Sequence, residues 1–560
     1  MAKIIIYQLF PRTFTNYCEN RVFNGSIEQN GCGKLNYITD VALKEIKDLG
    51  ATHIWYTGII EHATKTDYTK YGIQKDNDII VKGRAGSPYA IKDYYDIDPD
   101  LAVDIDNRMQ EAEDLFERTH KAGLKIVLDF VGNHVARQYK SDAKPKDVED
   151  LGEKDHSEWA FSPLNNFYYI PNQEFNTMYI RDNNQGDNYK EYPARVTGND
   201  CFNSTPTKND WYETIKLNYG VFYRGGMEKQ FNPIPNTWKK MLDILLFWAK
   251  KGVDAFRCDM AEMVPVEFWG WAIENVKKEY PHIKFIAEVY NPSLYRSYIF
   301  TGKFDYLYDK VGMYDYLRGV TSKDYSAEGI TQQWQSTEDI RQYMLYFLEN
   351  HDEQRIASGF FCGSGICAEP AMMVATLLGN NPMLIYAGQE LGENGMDAEG
   401  FSGLDGKTSI FDYWGIKSLQ LWANKGKFDG FNLSKEQKEL RLFYKKLLNI
   451  ANNEKAIYDG LMFDLQYVQH TQYNRQKQYA FLRKKDDDII LIIVNFDDKF
   501  VNIKVNIPKA AFTYLEMKEN KSARLIDLIN KKEYSNIEFS EDSLIEFNID
   551  AWKGLILKVI

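Results

Sequence analysis

Short apolar runs and amphipathic stretches alternate from the start of the chain. The runs cover residues 3–10, 52–57, 125–131, 254–259, 284–290, 304–309, 343–352 and 382–390. Between them, apolar residues recur at helical spacing near residues 37–49, 109–122, 237–250 and 265–280. Strands alternating with helices predict parallel βαβ units, and eight such strands are the number that closes a (β/α)8 barrel. The expected fold class is therefore α/β, a (β/α)8 TIM barrel.

Two stretches break the rhythm. Between the third and fourth strands, residues 134–236 are rich in Asn, Asp, Tyr and Pro and lack a long helical period. A connection of that length is not expected to be structureless, which predicts a small inserted subdomain. Beyond about residue 455 the pattern changes to period-two strands and turns, as in QYAFLRKKDDDIILIIVNF (478–496) and WKGLILKVI (552–560), predicting a C-terminal antiparallel β-sandwich. The expected boundaries are 1–134 with 237–454 for the barrel, 135–236 for the insertion and 455–560 for the sandwich. No internal repeat or low-complexity tract interrupts the chain.

With 44% hydrophobic and 26% charged residues the 560-residue chain reads as globular and soluble. Its net charge of −12 argues against a nucleic-acid surface, which relies on clustered Lys and Arg. No run reaches the ~18 apolar residues of a membrane span. The opening MAKIIIYQLFPRTF reads as a first strand without a signal-peptide cleavage site, which places the protein in the cytoplasm or exports it with a signal removed. Six cysteines in so long a chain are expected to be reduced thiols, and Cys362 and Cys367 lack the second pair of a zinc site. The aromatic share of 14%, with 38 Tyr and 11 Trp, suits carbohydrate, whose C–H faces stack on rings, although an aromatic core gives the same count.

Barrel chemistry sits at the C-terminal ends of the strands. Strand three ends in Asp129, followed by Asn133 and His134; strand four in Arg257 and Asp259; strand five in Glu288; strand seven in Asn350, His351 and Asp352. Strand side chains alternate faces, so Arg257 and Asp259 point inward while Phe256 and Cys258 pack outward. Any one of these polar residues alone could be a structural ion pair or a hydrogen-bonded cap. Together they fit retaining glycoside hydrolysis, in which one carboxylate attacks the anomeric carbon and a protonated carboxyl about 5 Å away serves the leaving oxygen. Adjacent strand ends, about 4.8 Å apart, can supply that spacing. Arg257 is expected to hold Asp259 ionised, and neighbouring acids to push the pKa of Glu288 upward.

DFVGNH (129–134), GVDAFRCDMAE (252–262), IAEVY (286–290) and FLENHD (347–352) resemble, in order, the four signature regions of the α-amylase family, glycoside hydrolase family 13. The resemblance spans residues 3–422. It implies Asp259 as nucleophile, Glu288 as general acid/base and Asp352 as the third acid, with His134, Arg257 and His351 as sugar ligands. SPYAIKDY (87–94) is similar to the family's Gly-Tyr-x-x-x-Asp-Tyr stretch and implies Tyr89 as a ring stacked on the sugar. The insertion and the tail would be the family's domains B and C. IKLNYG (215–220) and Glu262, three places past Asp259, lean toward cyclomaltodextrinase and neopullulanase relatives.

Departures from the family pattern bear on calcium. Ala261 and Glu262 stand where many members carry Lys-His, and NGCGKLNYI (30–38) has Lys34 where another branch ends an acidic calcium loop. A lysine ammonium is itself a cation, so no metal is expected in that loop. Asn133 is expected to pin the insertion by a hydrogen bond, with calcium ligation as the alternative. No cofactor is needed for the chemistry, no residue is assigned to a metal, and a structural calcium is allowed but not expected. The reading is a retaining α-glucan hydrolase acting on an oligo- or polysaccharide, with no nucleic-acid partner and no membrane span; bond preference and oligomeric state are left open. Its rivals are a transglycosylase on the same scaffold and a non-catalytic glucan-binding relative.

Overall fold

The computed structural model describes residues 3–182 and 188–560. Eight parallel strands close a barrel: β1 Ile5–Leu9, β2 His53–Tyr56, β3 Lys125–Val131, β4 Ala255–Asp259, β5 Lys284–Ala287, β6 Tyr306–Tyr308, β7 Met344–Phe347 and β8 Met383–Tyr386. β8 pairs back onto β1, with Ile5 opposite Met383, so no edge is left open. Every strand lies within the run expected of it. Three stop short: β5 ends before Glu288, β7 five residues before Asp352, and β8 four before Glu390. Glu288 still donates its amide to the Cys258 carbonyl of β4 at 3.1 Å, whereas Asp352 lies on a loop beyond the last β7 pairing and Glu390, fully buried, accepts from the Tyr7 hydroxyl at 2.8 Å.

Alternation along β4 sets the layers. Phe256 packs outward with Phe130 and Phe285, their ring centroids 6.4 and 5.6 Å away. Ala255 faces inward with Ile6, Trp55, Val127, Ile286, Tyr308, Leu345 and Leu384, which fill the barrel's interior. The connecting helices carry ordinary end signals. Asp40–Leu49 starts after Thr39, whose hydroxyl accepts from the Ala42 amide, and ends at Gly50, whose φ of 117° suits only a residue without Cβ.

Among the described residues, the segment after β3 contains short ladders only. His134–Ala136 pairs with Thr214–Lys216, Tyr169–Ile170 with Ala194–Arg195, and Val221–Phe222 with Glu228–Lys229. A small core of its own, including Tyr168, Ile170, Phe175 and Val196, also takes in Ile79 and Ile80 from the loop after β2. Buried Arg137 holds it together through Glu191 at 2.7 Å and the carbonyls of Tyr212 and Thr214, each at 2.8 Å.

The C-terminal part is antiparallel, as expected. A six-stranded sheet from Leu461–Asp464 to Glu533–Phe539 faces the pair Val501–Ile507 and Ser543–Ile549 across a core of Leu482, Leu491, Ile493, Val505, Phe547 and Leu557. The sheet's other face, with Phe481, Ile490 and Ile492, packs into the barrel core. Buried Arg483 rivets the two parts by donating to the carbonyls of Leu378, Ile457 and Gly460.

One expectation is corrected here. Cys362 and Cys367 are joined as a disulfide, because the short loop between them brings their Cα atoms to 6.6 Å, within the span of such a bond. The other four cysteines are free. Among the described residues no helix is long and apolar enough to cross a membrane.

Candidate active site

Arg257 is the centre of the mouth. It is 1% exposed, and its guanidinium touches three carboxylates: Asp259 Oδ1 at 2.7 Å, Glu288 Oε2 at 2.8 Å and Asp129 Oδ1 at 3.3 Å. The register produces this convergence, since Arg257 lies opposite Asp129 on β3 and Ile286 on β5. Trp55, Tyr89 and Tyr308 surround the guanidinium, their ring centroids 5.2–5.6 Å from its carbon.

This arrangement revises the expected electrostatics. Arg257 does not serve Asp259 alone. Burial raises the pKa of Asp259 well above the usual carboxylate value; Arg257 opposes the shift, while Glu288, Asp129 and Asp352 add to it. Burial likewise pushes Asp129 up to about 6 against the pull of Arg257 and of the Trp55 indole, which donates to Oδ2 at 2.8 Å. A raised acid binds its proton longer when folded, so Asp129 costs stability as pH rises from about 4 to 6. Asp129→Asn should therefore flatten the fall of the thermal midpoint across that window, as calorimetry at stepped pH would register.

Glu288 follows Ala287 directly and is gripped from three sides. Besides Arg257, the Met260 amide donates to Oε2 at 2.8 Å and the Tyr290 hydroxyl to Oε1 at 2.6 Å. Met260 reaches it only because the chain turns into the left-handed region there, with φ 42°. Backbone strain of this kind is held by its surroundings. Here Glu262 does the holding, accepting from the amides of Tyr290 and Asn291 at 3.1 and 3.0 Å and so tying the β4 loop to the β5 loop.

The opposite wall is aromatic and imidazole. Tyr89 stacks on His351, with centroids 5.2 Å apart and planes 24° apart, and its hydroxyl lies 2.5 Å from Nε2. The Gln8 side chain holds Nδ1 at 2.8 Å, and Asp352 Oδ2 lies 3.1 Å from Nε2. Burial, then Arg257, lowers the pKa of His351 well below that of a free imidazole, keeping the ring neutral. Asp352 is the most open of the acids, its side chain 40% exposed. Its loop is fixed by Asn350, which accepts from the Asp352 and Glu353 amides at 2.8 and 3.0 Å.

His134 enters from the strand after β3, beside Trp211 at 5.3 Å. Burial and Lys216 bring its pKa down to about 3. Asn133 does join the two parts of the chain: its amide donates to the Gly198 carbonyl at 2.8 Å, and its Oδ1 accepts from Lys216 Nζ at 2.8 Å. Lys216 also pairs with Asp200 at 2.6 Å. A Cβ on residue 198 would come within 2.9 Å of His134, so this close approach needs glycine. Lys216→Met would strand the buried Asn133 oxygen and leave the partly exposed Asp200 without its cation, at a cost of about 1–2 kcal/mol, readable as a lowered denaturation midpoint. Lys34, in the first loop, donates to the Asp100 carbonyl at 2.6 Å.

All seven expected residues thus meet in one place. Tyr89, His134, Asp259, Glu288 and Asp352 line a cavity of about 340 Å³, with Lys82, Trp211, Glu213, Tyr290, Ile410 and Phe411 as further lining. Arg257 and His351 support its floor and wall through the contacts above. The sequence of the α-amylase catalytic domain, taken as a family, matches residues 8–410. The chain belongs to the α-amylase family.

Among curated relatives, α-amylase 3 of Dictyoglomus thermophilum is 22% identical, over 93% of this chain and 91% of its own length. Neopullulanase 2 of Thermoactinomyces vulgaris is 20% identical over 90% and 69% respectively. Among solved structures, a maltogenic α-amylase from Thermotoga neapolitana superposes with a TM-score of 0.63 at 18% identity, covering 99% of this chain and 98% of that one. The α-amylase from Geobacillus thermoleovorans, solved with acarbose, gives 0.64 at 16% identity, covering 100% and 98%. At such identities the structures speak for the fold.

Several residues of this amylase-family site carry no local sequence signal. Gln8, Trp55 and Tyr308 come from β1, β2 and β6, and none of the three lies in the four motifs that carry the family resemblance. Their strand faces follow from alternation, so Trp55 and Tyr308 were open to inference once the barrel was assumed. Trp211, Ile410 and Phe411 come from loops, whose course no periodicity reports.

Proposed function

We propose that this glycoside hydrolase cleaves α-glucosidic bonds of malto-oligosaccharides, starch or related α-glucans with retention of configuration. Asp259 attacks the anomeric carbon, and Glu288 gives its proton to the departing glycosidic oxygen. Water then attacks the covalent glycosyl-aspartate while Glu288 takes back a proton, so both carboxyls return to their starting state. Asp352, His351 and His134 bind sugar hydroxyls, Tyr89 stacks beneath the ring, and Arg257 sets the positions of the two reacting acids. The supporting observation is that one buried guanidinium holds Asp259 and Glu288, at 2.7 and 2.8 Å, in the floor of a cavity walled by Tyr89 and Asp352. Every group in these steps is a side chain or water, so the chemistry calls for no cofactor.

The names of two relatives, neopullulanase and oligo-1,6-glucosidase, support a lean toward oligosaccharides within this reading. The test is a panel of maltotriose, starch, pullulan, cyclodextrin, isomaltose, sucrose and trehalose, with products separated by chromatography and the first-formed anomer read by NMR. An α-anomer from maltotriose or cyclodextrin is expected. A β-anomer as first product, or no cleavage of any glucan, would overturn the reading. Excess acceptor sugar in the same assay separates hydrolysis from transglycosylation.

A further inference from the structure

A second cavity, of about 670 Å³, lies where the barrel meets the C-terminal sandwich and shares no residue with the catalytic one. Its barrel side is the helix Ile330–Ser336 with the turn before it. Its sandwich side is the strand Leu461–Asp464, the turn that follows, and the end of the helix Lys509–Leu515. The two sides are fixed to each other. Asp464 Oδ2 accepts from the Thr331 hydroxyl at 2.6 Å and from the Trp334 indole at 3.1 Å. Across the same seam the Ala327 amide donates to the Gln476 carbonyl at 2.8 Å, and Arg475 pairs with Glu328 at 2.6 Å. The cleft is thus formed before a ligand arrives, and little ordering is left to oppose binding.

Three rings run along the sandwich side. The Phe463 centroid is 6.2 Å from that of Tyr467 and 5.8 Å from that of Tyr514, with planes tilted by 58° and 50°. Tyr467 and Tyr514 are 55% and 56% exposed. Large rings left open side by side mark a surface that a partner covers. The facing side is polar: Gln332, Gln335 and Glu338 are exposed, and their side chains make no hydrogen bond or ion pair with the rest of the described protein. Charges on the rim balance, Arg341 and Arg475 against Glu328 and Glu338, so there is no field to gather phosphates or an anionic lipid surface. Rings on one side and uncommitted amides on the other suit a neutral ligand with apolar faces and a hydroxylated edge.

We propose that this cleft is a second carbohydrate site that holds a stretch of α-glucan chain, its C–H faces on Tyr467, Phe463 and Tyr514 and its hydroxyls on Gln332, Gln335 and Glu338. The volume falls within the ~300–1,000 Å³ of small-ligand sites. That the sugar is an α-glucan rests on the function proposed above. A polymer held here keeps its remaining length near the catalytic mouth at raised local concentration, a gain confined to chains long enough to reach both sites. Maltotriose, which fills one site at a time, gains nothing.

The test is native electrophoresis through gels with and without soluble amylopectin, using the Asp259→Asn protein so that the polymer survives. Retardation by the polymer is expected, and adding Tyr467→Ala and Tyr514→Ala should weaken it fivefold or more. In the otherwise wild-type enzyme the same two substitutions should raise KM for amylopectin at least threefold and leave kcat/KM on maltotriose unchanged. Equal retardation with and without the tyrosines would assign all binding to the mouth and overturn the proposal, as would no retardation at all. So would a dimer in sedimentation velocity that Tyr514→Ala dissociates with retardation untouched, since the rings would then belong to a second copy of the chain. Both tyrosines are exposed, so the fold should tolerate their loss, and Gln335→Ala probes the opposite wall independently. The two readings fail apart: the cleft fails in the gel while maltotriose is still cleaved, and the function of the mouth fails when no glucan is cleaved, whatever the gel shows.

Discussion

Asp259→Asn should lower kcat on maltotriose by at least about 10⁴-fold, because removing a nucleophile leaves only binding and electrostatics to act on the transition state. The fold should not suffer. Asp259 is a buried acid sharing one guanidinium with two others, and a neutral amide of the same shape relieves that crowding; the thermal midpoint should hold or rise. Asp259→Ala should be equally inactive, and a small anion such as azide, entering the space it vacates, should restore part of the turnover as a glycosyl azide. Stopped assays with mass detection of the azide adduct would register both effects. A well-folded Asp259→Asn protein working at near wild-type rate would remove Asp259 from the mechanism.

Glu288→Gln should cost about 10²–10⁴-fold in kcat/KM on maltotriose, the usual range for a positioned proton donor. The loss should depend on the leaving group. Fluoride departs without a proton, so α-glucosyl fluoride should retain far more of its rate in the first step than maltotriose does. Equal losses on both substrates would mean that Glu288 positions the sugar and does not donate to it. Tyr290 and Met260 hold both carboxyl oxygens, so the glutamine can keep one of these contacts, and the comparison reports chemistry more than misplacement.

The barrel was legible because its strands are apolar runs separated by helical periods, and period alone distinguishes the two. The acids were legible for a different reason: each closes or follows such a run, so barrel geometry assigns them to one mouth. Strand ends were harder. β7 stops at Phe347, and the polar ENHD tail continues as a loop because no neighbouring strand extends to pair with it. Electrostatics were least legible. The adjacency of Arg257 and Asp259 in sequence suggested a private ion pair, while the third and fourth partners, Asp129 and Glu288, arrive from strands over 120 and about 30 residues away, a convergence that only lateral register reveals.

The shared guanidinium has a last consequence, for ligands that are not substrates. Asp129, Asp259, Glu288 and Asp352 face one another with Arg257 as their common counter-ion, and both imidazoles beside them are held neutral. Such a mouth is a well for positive charge. The partial cation that forms at the anomeric carbon during bond breaking falls into it, and so does a protonated ring nitrogen in an iminosugar, which carries a full charge where the substrate carries only a passing one. An uncharged sugar of the same shape offers the well nothing. The selectivity of this pocket among mimics is therefore written in charge before it is written in shape.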